Sequence, residues 1–304
     1  MRVIVKVSVL CAILFAFSQA AFADGIDIYN TIPNPLPPNV PSLGYEATGT
    51  SEFGGLIHFA GGSSYSLTSA TVAMSDWALA SDYASYFGTT IDGATITASG
   101  FDIPLTLNIY NVGAGDTVGS SIDTTTIKAF IPWRPAPGGG PCTGTTYEGS
   151  DGKCYNGSLS TVTFDLTGVT VPGQVIYGLA FDTTHYGASP TGVPGPYESL
   201  NFGLSTVPPT VGSNPLPGTA YWNTTNAGDY ADGGAAGVGS FRQDQNWASY
   251  SGAIEFSGNP VFAADPRAME TPEPSSMLLF GTGLLGLAGA AFRKIGRSVL
   301  PLNS

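Results

Sequence analysis

The residue types that most often carry catalysis are scarce in this sequence. There are two histidines, His58 and His185. His58 lies in GGLIHFAGG and is predicted to be a strand residue. His185 lies in FDTTHYG, where Asp182 could form a general-base pair with it, and the alternative is a hydrogen-bonded turn. No Gly-x-Ser-x-Gly elbow, His-Glu-x-x-His helix, paired Cys-x-x-Cys or phosphate loop accompanies them, so we predict no catalytic residue.

Two aspartates are the candidate metal ligands. Asp229 and Asp232 in DYADGG offer carboxylate oxygens, which are the ligands that Ca²⁺ prefers. The segment lacks the spacing of an EF-hand loop, and Asp-Gly pairs are first of all turn formers. We therefore predict no cofactor, with Ca²⁺ as the one candidate ion.

Tryptophan side chains are the stronger indication of a binding site. Trp133 with Arg134 in IPWRP, and Trp222 in AYWNTT, join an aromatic face to polar neighbours. Such surfaces stack on sugar rings, and β-sandwiches often carry lectin-like sites. Trp133, Arg134 and Trp222 are accordingly the predicted glycan-binding residues. The alternative is that these rings pack in the core.

The composition indicates the elements that would position these residues. Charged residues make up 11% of the chain, against about 25% in a typical soluble domain. The chain also contains 41 glycines and 23 prolines, a composition that favours short strands joined by many turns over long helices. The segment QVIYGLAFD is apolar on both faces, which predicts a central strand covered on both sides.

Other segments alternate between apolar and polar residues, which predicts strands with one buried face. The predicted buried positions are Ala70, Val72, Met74, Ile103, Leu105, Leu107, Ile109, Ile127, Ala129, Ile131, Val162, Phe164, Leu166, Ile254 and Phe256. NVGAGDTVG, residues 111–119, is predicted to be a hairpin loop. Antiparallel strands of this kind pack as two sheets or close a barrel. We predict an all-β fold, a jelly-roll-like β-sandwich over residues 45–258, preceded by an extended proline-rich arm over 24–44.

The chain contains three cysteines. Cys11 lies in an N-terminal apolar run, whereas Cys142 and Cys154 lie in one glycine-rich loop. In an exported protein an isolated pair is expected to form a disulfide, with metal binding by two thiols as the alternative.

Both ends of the chain resemble targeting segments. Residues 1–23 have a basic start, an apolar run and a small-x-small ending at Ala23, which predicts a signal peptide, the Sec translocon as partner and cleavage after Ala23. The alternative is an N-terminal membrane helix. At the other end, after a linker over 259–270, residues 277–292 carry no charge. Three cations follow, Arg293, Lys294 and Arg297, which predicts a transmembrane helix with its end in the cytoplasm.

The C-terminal segment resembles a known sorting signal. Pro272, Glu273 and Pro274, then an apolar helix, then a basic cluster look like the PEP-CTERM signal of Gram-negative bacteria that make exopolysaccharide. The resemblance covers residues 271–297. It implies recognition by an exosortase near Pro-Glu-Pro, removal of the tail, and delivery of the body to the cell surface or matrix. A rigid spacer before a permanent anchor is the alternative.

The body is also similar to uncharacterised secreted bacterial proteins that are thought to be all-β and have no assigned activity. The segments that carry this resemblance include TVAMSDWA, PLTLNIYNVGAG, FIPWRPAP, VIYGLAFDTTHYG and PYESLNFGL. They span most of residues 30–256. The resemblance implies a coherent fold and an extracellular location, and it implies nothing about mechanism.

Charge limits the classes of partner. The chain has a formal net charge of −12, and all of its 22 acidic residues lie between Asp24 and Glu273. Such a surface disfavours nucleic acid and anionic lipid. Two hypotheses follow for a protein that is first anchored in the inner membrane and then exposed outside the cell. One is a non-enzymatic surface or matrix protein that binds exopolysaccharide, and the other is a secreted hydrolase acting on a polysaccharide or an ester.

Overall fold

The computed structural model describes residues 25–91, 94–187, 192–226 and 239–261. Strands account for 51% of the structure and helices for 8%, which confirms the all-β prediction. The predicted signal peptide, sorting motif and transmembrane helix lie outside the described residues, as do Asp229 and Asp232.

The elements are short and follow one another closely. The strands are β1 (Ile26–Asn30), β2 (Ser42–Gly44), β3 (Thr50–His58), β4 (Ser64–Asp76), β5 (Thr90–Ile91), β6 (Ala94–Thr95), β7 (Gly100–Val112), β8 (Val118–Pro132), β9 (Tyr147–Glu148), β10 (Cys154–Tyr155), β11 (Ser158–Asp165), β12 (Thr170–Pro172), β13 (Gln174–Ala180), β14 (Leu200–Ser205), β15 (Thr219–Thr224), β16 (Arg242–Gln245), β17 (Ser251–Gly252) and β18 (Ile254–Pro260). A one-turn α-helix, α1, spans Tyr45–Thr48, and 3₁₀-helices span Ala80–Tyr86, Ala114–Asp116 and Pro196–Ser199.

The strands form two large antiparallel sheets and two short ribbons. The larger sheet has eight strands in the order β1-β18-β4-β14-β17, with β11 and β12 paired to β4 and β2 paired to β14. The smaller sheet has six strands in the order β16-β15-β3-β13-β7-β8. The 13-residue strand β4 is the centre of the larger sheet, because β11 and β12 pair with it as well as β18 and β14.

One hydrophobic core contains side chains from both large sheets. Phe53 on β3 meets Phe202 on β14 edge to face at 6.2 Å, and Tyr177 on β13 meets Phe256 on β18 at 6.0 Å. The predicted apolar faces of the alternating segments lie in this core, and Ile127 alone among those positions is only partly buried. Strand alternation therefore identified the buried faces correctly.

Strand β13 has apolar side chains on both faces, as its sequence predicts. Val175 and Leu179 face the shared core, whereas Ile176 packs with Leu56 and Tyr221 in a small cluster on the outer face of the smaller sheet. The strand lies between β3 and β7, with hydrogen-bonded partners on both sides. Its position in the middle of the sheet explains the absence of a polar face.

The longest hairpin joins β7 to β8 through residues 113–117. Gly115 has a φ of 67° and Asp116 a φ of 60°, a left-handed pair that reverses the chain. The predicted hairpin loop over residues 111–119 is confirmed, although β7 and β8 extend into both of its ends.

The segment predicted as an extended arm contributes to the larger sheet. β1 pairs with β18, and β2 pairs with β14. Between them the proline-rich stretch donates few backbone hydrogen bonds but accepts two, since Leu159 and Leu204 N–H groups donate to the carbonyls of Pro38 and Pro41. The sheet structure therefore begins at Ile26 rather than at Tyr45, because proline removes donors but leaves acceptors that a neighbouring strand can use.

The Cys142–Cys154 disulfide is present and confirms the predicted pairing. It lies in the long connection between β8 and β11, which also contains the short ribbon of β9 and β10. Tyr147 in this ribbon is buried, and its hydroxyl donates to the Gly157 carbonyl at 2.9 Å. The disulfide therefore closes a loop within the connection, and the buried Tyr147 side chain packs the connection against the body.

Replacing both Cys142 and Cys154 by serine should lower the free energy of unfolding by about 3 kcal/mol, because the bond closes a short loop in the unfolded chain. Urea unfolding of the variant and the parent under oxidising conditions measures the difference. The parent treated with a reductant should lose the same amount. A variant as stable as the oxidised parent would contradict this expectation.

Candidate functional site

A depression crosses the outer face of the smaller sheet at its two central strands. Gly54 on β3 and Gly178 on β13 are paired neighbours in the register. A Cβ atom at Gly178 would lie 2.1 Å from Oε1 of Glu52. The missing side chain is therefore what allows the Glu52 carboxyl to lie across β13.

The Glu52 carboxyl is held from the next strand. Asn108 Nδ2 and the Tyr110 hydroxyl, both on β7, donate to Glu52 Oε1 at 2.9 Å each. Glu52 is only 8% exposed, and this burial raises the pKa of its carboxyl above the ordinary value in spite of the two hydrogen bonds, which lower it. Burial therefore makes the charged form of this carboxyl less favourable than it is for a carboxyl in water.

The depression continues into a groove of about 590 Å³, which we call the Glu52 groove. Its polar lining includes Glu52, Thr106, Asn108, Asp182 and Asn223, and no lysine or arginine lies among its lining residues. The volume is within the usual range for small-molecule sites, about 300–1,000 Å³.

Asn223 has an unused hydrogen-bond acceptor in this groove. It pairs with Glu52 in the register between β15 and β3. Its Oδ1 atom is buried and accepts no hydrogen bond from any described residue. Buried polar atoms of native proteins usually have a partner, so this oxygen is an unsatisfied acceptor beside the groove, and a ligand hydroxyl would reach it once the Asn223 side chain turned toward the groove.

The three predicted glycan-binding residues do not form a site. Trp222 on β15 is 4% exposed, donates from Nε1 to Thr50 Oγ1 at 2.7 Å, and packs edge to face on Trp247 at 5.0 Å. Trp133 directly follows β8, at the opposite edge of the smaller sheet. It stacks on Tyr83 at 5.7 Å and donates to the Thr97 carbonyl at 2.9 Å.

Arg134 is also a structural residue. It is 7% exposed, and its guanidinium donates from Nε to the Trp77 carbonyl at 2.9 Å and from an Nη to the Thr145 carbonyl at 2.8 Å. Trp222 and Arg134 are therefore buried, and Trp133 is partly buried against the core. The physical reason is that large rings near strand ends fill the rim of a core as readily as they face solvent.

His185 faces Glu46, and Asp182, which the sequence left open as its general-base partner, lies elsewhere. His185 Nδ1 lies 2.5 Å from Glu46 Oε1, whereas Asp182 lines the Glu52 groove. His58 is the last residue of β3, as predicted for a strand residue, and its backbone is bridged to Ser213.

The Glu52 groove was not found from the sequence, where only Asp182 of its lining residues was considered, as a possible partner of His185. The available signal was a single acid in an apolar strand, SEFGG, next to two glycines. Asn108 was predicted on the solvent face of its strand, but alternation does not say which strands become neighbours. The site exists only because the register brings β3, β7, β13 and β15 together.

A comparison with known protein families gives one match. Residues 270–294 match the PEP-CTERM protein-sorting motif. This chain carries a PEP-CTERM motif. Pro272, Glu273, Pro274, Arg293 and Lys294 lie inside the matched range, and Arg297 lies beyond it. No curated protein and no solved structure shows a significant match to the chain.

The PEP-CTERM motif concerns the destination of the chain. It implies export, a membrane-anchored precursor and an exosortase as the processing partner. Among the described residues, no helix is long and apolar enough to cross a membrane. The motif says nothing about the Glu52 groove, whose role depends on its own geometry.

Proposed function

We propose that this PEP-CTERM protein is a non-enzymatic component of the cell surface or extracellular matrix, and that its Glu52 groove binds an uncharged exopolysaccharide. Export through the Sec translocon and cleavage of the signal peptide after Ala23 belong to the same proposal. The body is proposed to be a jelly-roll-like β-sandwich. The observation that carries the binding proposal is the unsatisfied Asn223 Oδ1 in a groove that also holds the buried Glu52 carboxyl.

The chemistry of the lining favours a hydroxyl-rich ligand. Carboxyl, amide and hydroxyl groups of Glu52, Asn108, Asn223 and Thr106 line the groove, and such groups pair with sugar hydroxyls as donors and as acceptors. Phe181 and Pro104 supply apolar surface beside them. Because the groove has no basic lining residue and the chain has a net charge of −12, acidic polysaccharides and phosphorylated ligands should be repelled.

The test is binding of the purified protein to glycans, first on an array of neutral and acidic oligosaccharides and then by co-sedimentation with exopolysaccharide from the producing bacterium. Asn223→Ala should raise the dissociation constant for the glycan at least about tenfold, since a sugar hydroxyl would lose its acceptor. Asn111→Ala, which removes an asparagine of β7 outside the lining of the groove, should leave binding unchanged.

Two results would overturn the proposal. One is that the protein binds none of these glycans, with or without Ca²⁺. The other is that Asn223→Ala and Asn111→Ala bind as the parent does, which would place any glycan site elsewhere.

A secreted glycoside hydrolase is the second candidate function, and one observation favours it. Glu52 has a pKa raised by burial, as a general acid requires, and Asp182 lines the same groove. In that case the protein should release reducing ends from the exopolysaccharide, and Glu52→Gln and Asp182→Asn should each abolish release. Binding without any release of reducing ends would leave the non-enzymatic proposal standing and remove this one.

A further inference from the structure

Three side chains with metal-binding atoms converge beyond the end of β13. They are Glu46 on α1, His185 in the loop after β13, and Glu198 on the 3₁₀-helix Pro196–Ser199. One ligand atom from each residue lies within 4.8 Å of the others. Glu46 lies 139 positions before His185 in the sequence, so its convergence with the other two residues is a product of the fold.

Buried neighbours hold the two glutamates in place. Tyr45 is fully buried beside Glu46, stacks on Phe181 at 4.0 Å and donates to the Leu179 carbonyl at 2.6 Å. Tyr197 is likewise buried beside Glu198, and its hydroxyl donates to the Val193 carbonyl. The carboxyls therefore project from anchored turns, which is the support that a preorganised metal site requires.

No lysine or arginine is paired with the cluster in the part of the chain that the structure describes. Neither Glu46 nor Glu198 forms a salt bridge with one, and His185 Nδ1 lies within hydrogen-bond distance of Glu46 Oε1. A cation held between the Glu46 and Glu198 carboxylates would be attracted by both.

We propose that Glu46, His185 and Glu198 bind one divalent transition-metal ion, and that Zn²⁺ fits the set best. Imidazole nitrogen and carboxylate oxygen are both ligands that Zn²⁺ takes, and three such ligands leave a fourth tetrahedral position for water. Ca²⁺ and Mg²⁺ fit poorly, because both prefer oxygen ligands and Ca²⁺ takes six to eight of them. The His185 side chain is 67% exposed, so the fourth position faces solvent.

The test uses the purified full chain in detergent, without a histidine tag and after treatment with a chelator. Titration calorimetry with Zn²⁺ should give one site per chain, and Ca²⁺ should bind at least about tenfold more weakly. Nuclear magnetic resonance of the imidazole groups provides a second measurement. Because the chain has two histidines, added Zn²⁺ should shift the ring signals of His185 and leave those of His58 in place.

Substitutions of single ligands test whether Zn²⁺ binds at this cluster. His185→Ala and Glu198→Gln should each weaken Zn²⁺ binding by about ten- to a hundredfold, whereas the matched controls His58→Ala and Glu148→Gln should not. Circular dichroism of the metal-free variants checks that each still folds, and the exposure of His185 makes that the expected result.

The proposal is overturned if His185→Ala retains the parent's affinity, if Zn²⁺ shifts His58 instead, or if Ca²⁺ binds as tightly as Zn²⁺. It is also overturned if the parent binds no Zn²⁺ in the calorimeter. None of these outcomes depends on whether the Glu52 groove binds a glycan.

Discussion

Replacing Pro272, Glu273 and Pro274 by alanine should abolish C-terminal processing in the producing cell and leave the full-length chain in the membrane fraction. The three residues lie within the matched PEP-CTERM motif, which implies recognition by an exosortase. Two prolines favour an extended backbone that a processing enzyme can bind as a strand, and alanine removes that restriction. Mass spectrometry of C-terminal peptides from the membrane and extracellular fractions measures the result.

A second variant is the control for substitutions near the motif that leave the motif itself intact. Asp265→Ala with Pro266→Ala changes an acid and a proline just before residues 270–294 and should be processed normally. Normal removal of the tail in the triple-alanine variant would show that Pro-Glu-Pro is not what the exosortase recognises. An intact tail on all extracellular parent protein would show that the tail is not cut at all.

Arg134→Met should lower the free energy of unfolding by about 3 kcal/mol or more. The guanidinium donates two charge-assisted hydrogen bonds, to the carbonyls of Trp77 and Thr145, and both carbonyls would lose a buried donor. Thr145 belongs to the disulfide loop, so the substitution also loosens that loop from the end of β4. Urea unfolding measures the change, with Lys153→Met as the control.

Lys153 is a suitable control because its side chain is 76% exposed and, among the described residues, forms its one salt bridge with Asp151 across 3.5 Å. Removing an exposed ion pair of this kind should cost at most about 1 kcal/mol. Equal stability of Arg134→Met and Lys153→Met would show that the buried guanidinium contributes no more than a surface charge.

Arg134→Met should lower the free energy of unfolding more in alkali than in acid, because Arg134 lowers the pKa of the buried Asp76 carboxyl. Burial raises the pKa of the Asp76 carboxyl to about 8, although hydrogen bonds and the charge of Arg134 lower it. A folded pKa above the unfolded value of about 3.9 gives stability that is present in acid and lost as the pH rises through the folded pKa. Without Arg134 that pKa rises further, so unfolding at about pH 9 should show a greater deficit than at about pH 5.

Much of the fold could be predicted from alternation along single segments. The inward faces of β7 and β11, with Leu105 and Phe164 among them, follow directly from a period of two residues. The central position of β13 follows from its two apolar faces. What the sequence did not contain was the pairing of segments: β1 lies beside β18, more than two hundred residues away, and no local pattern specifies that neighbour.

For the candidate sites, too, the sequence showed residue types but not which residues become neighbours. Trp133 and Trp222 were predicted to bind glycans as aromatic residues near strand ends, yet both are used for packing. Glu52 and Asn223 gave no such signal, because an isolated acid and an isolated amide are common on strands. The position of the Glu52 carboxyl depends on Gly178 of the neighbouring strand, where the missing side chain leaves room for it. The sequence does not show that these two residues are neighbours.

The placement of β18 between β1 and β4 sets the timing of assembly. Residues 254–260 are the last described strand to be synthesised, and they form the strand that pairs with β1 in the larger sheet. A chain that crosses the membrane from its N-terminus would therefore hold β1 outside the cell without its β18 partner until nearly all of the body had followed. Completion of the larger sheet would then coincide with arrival of the C-terminal segment at the membrane.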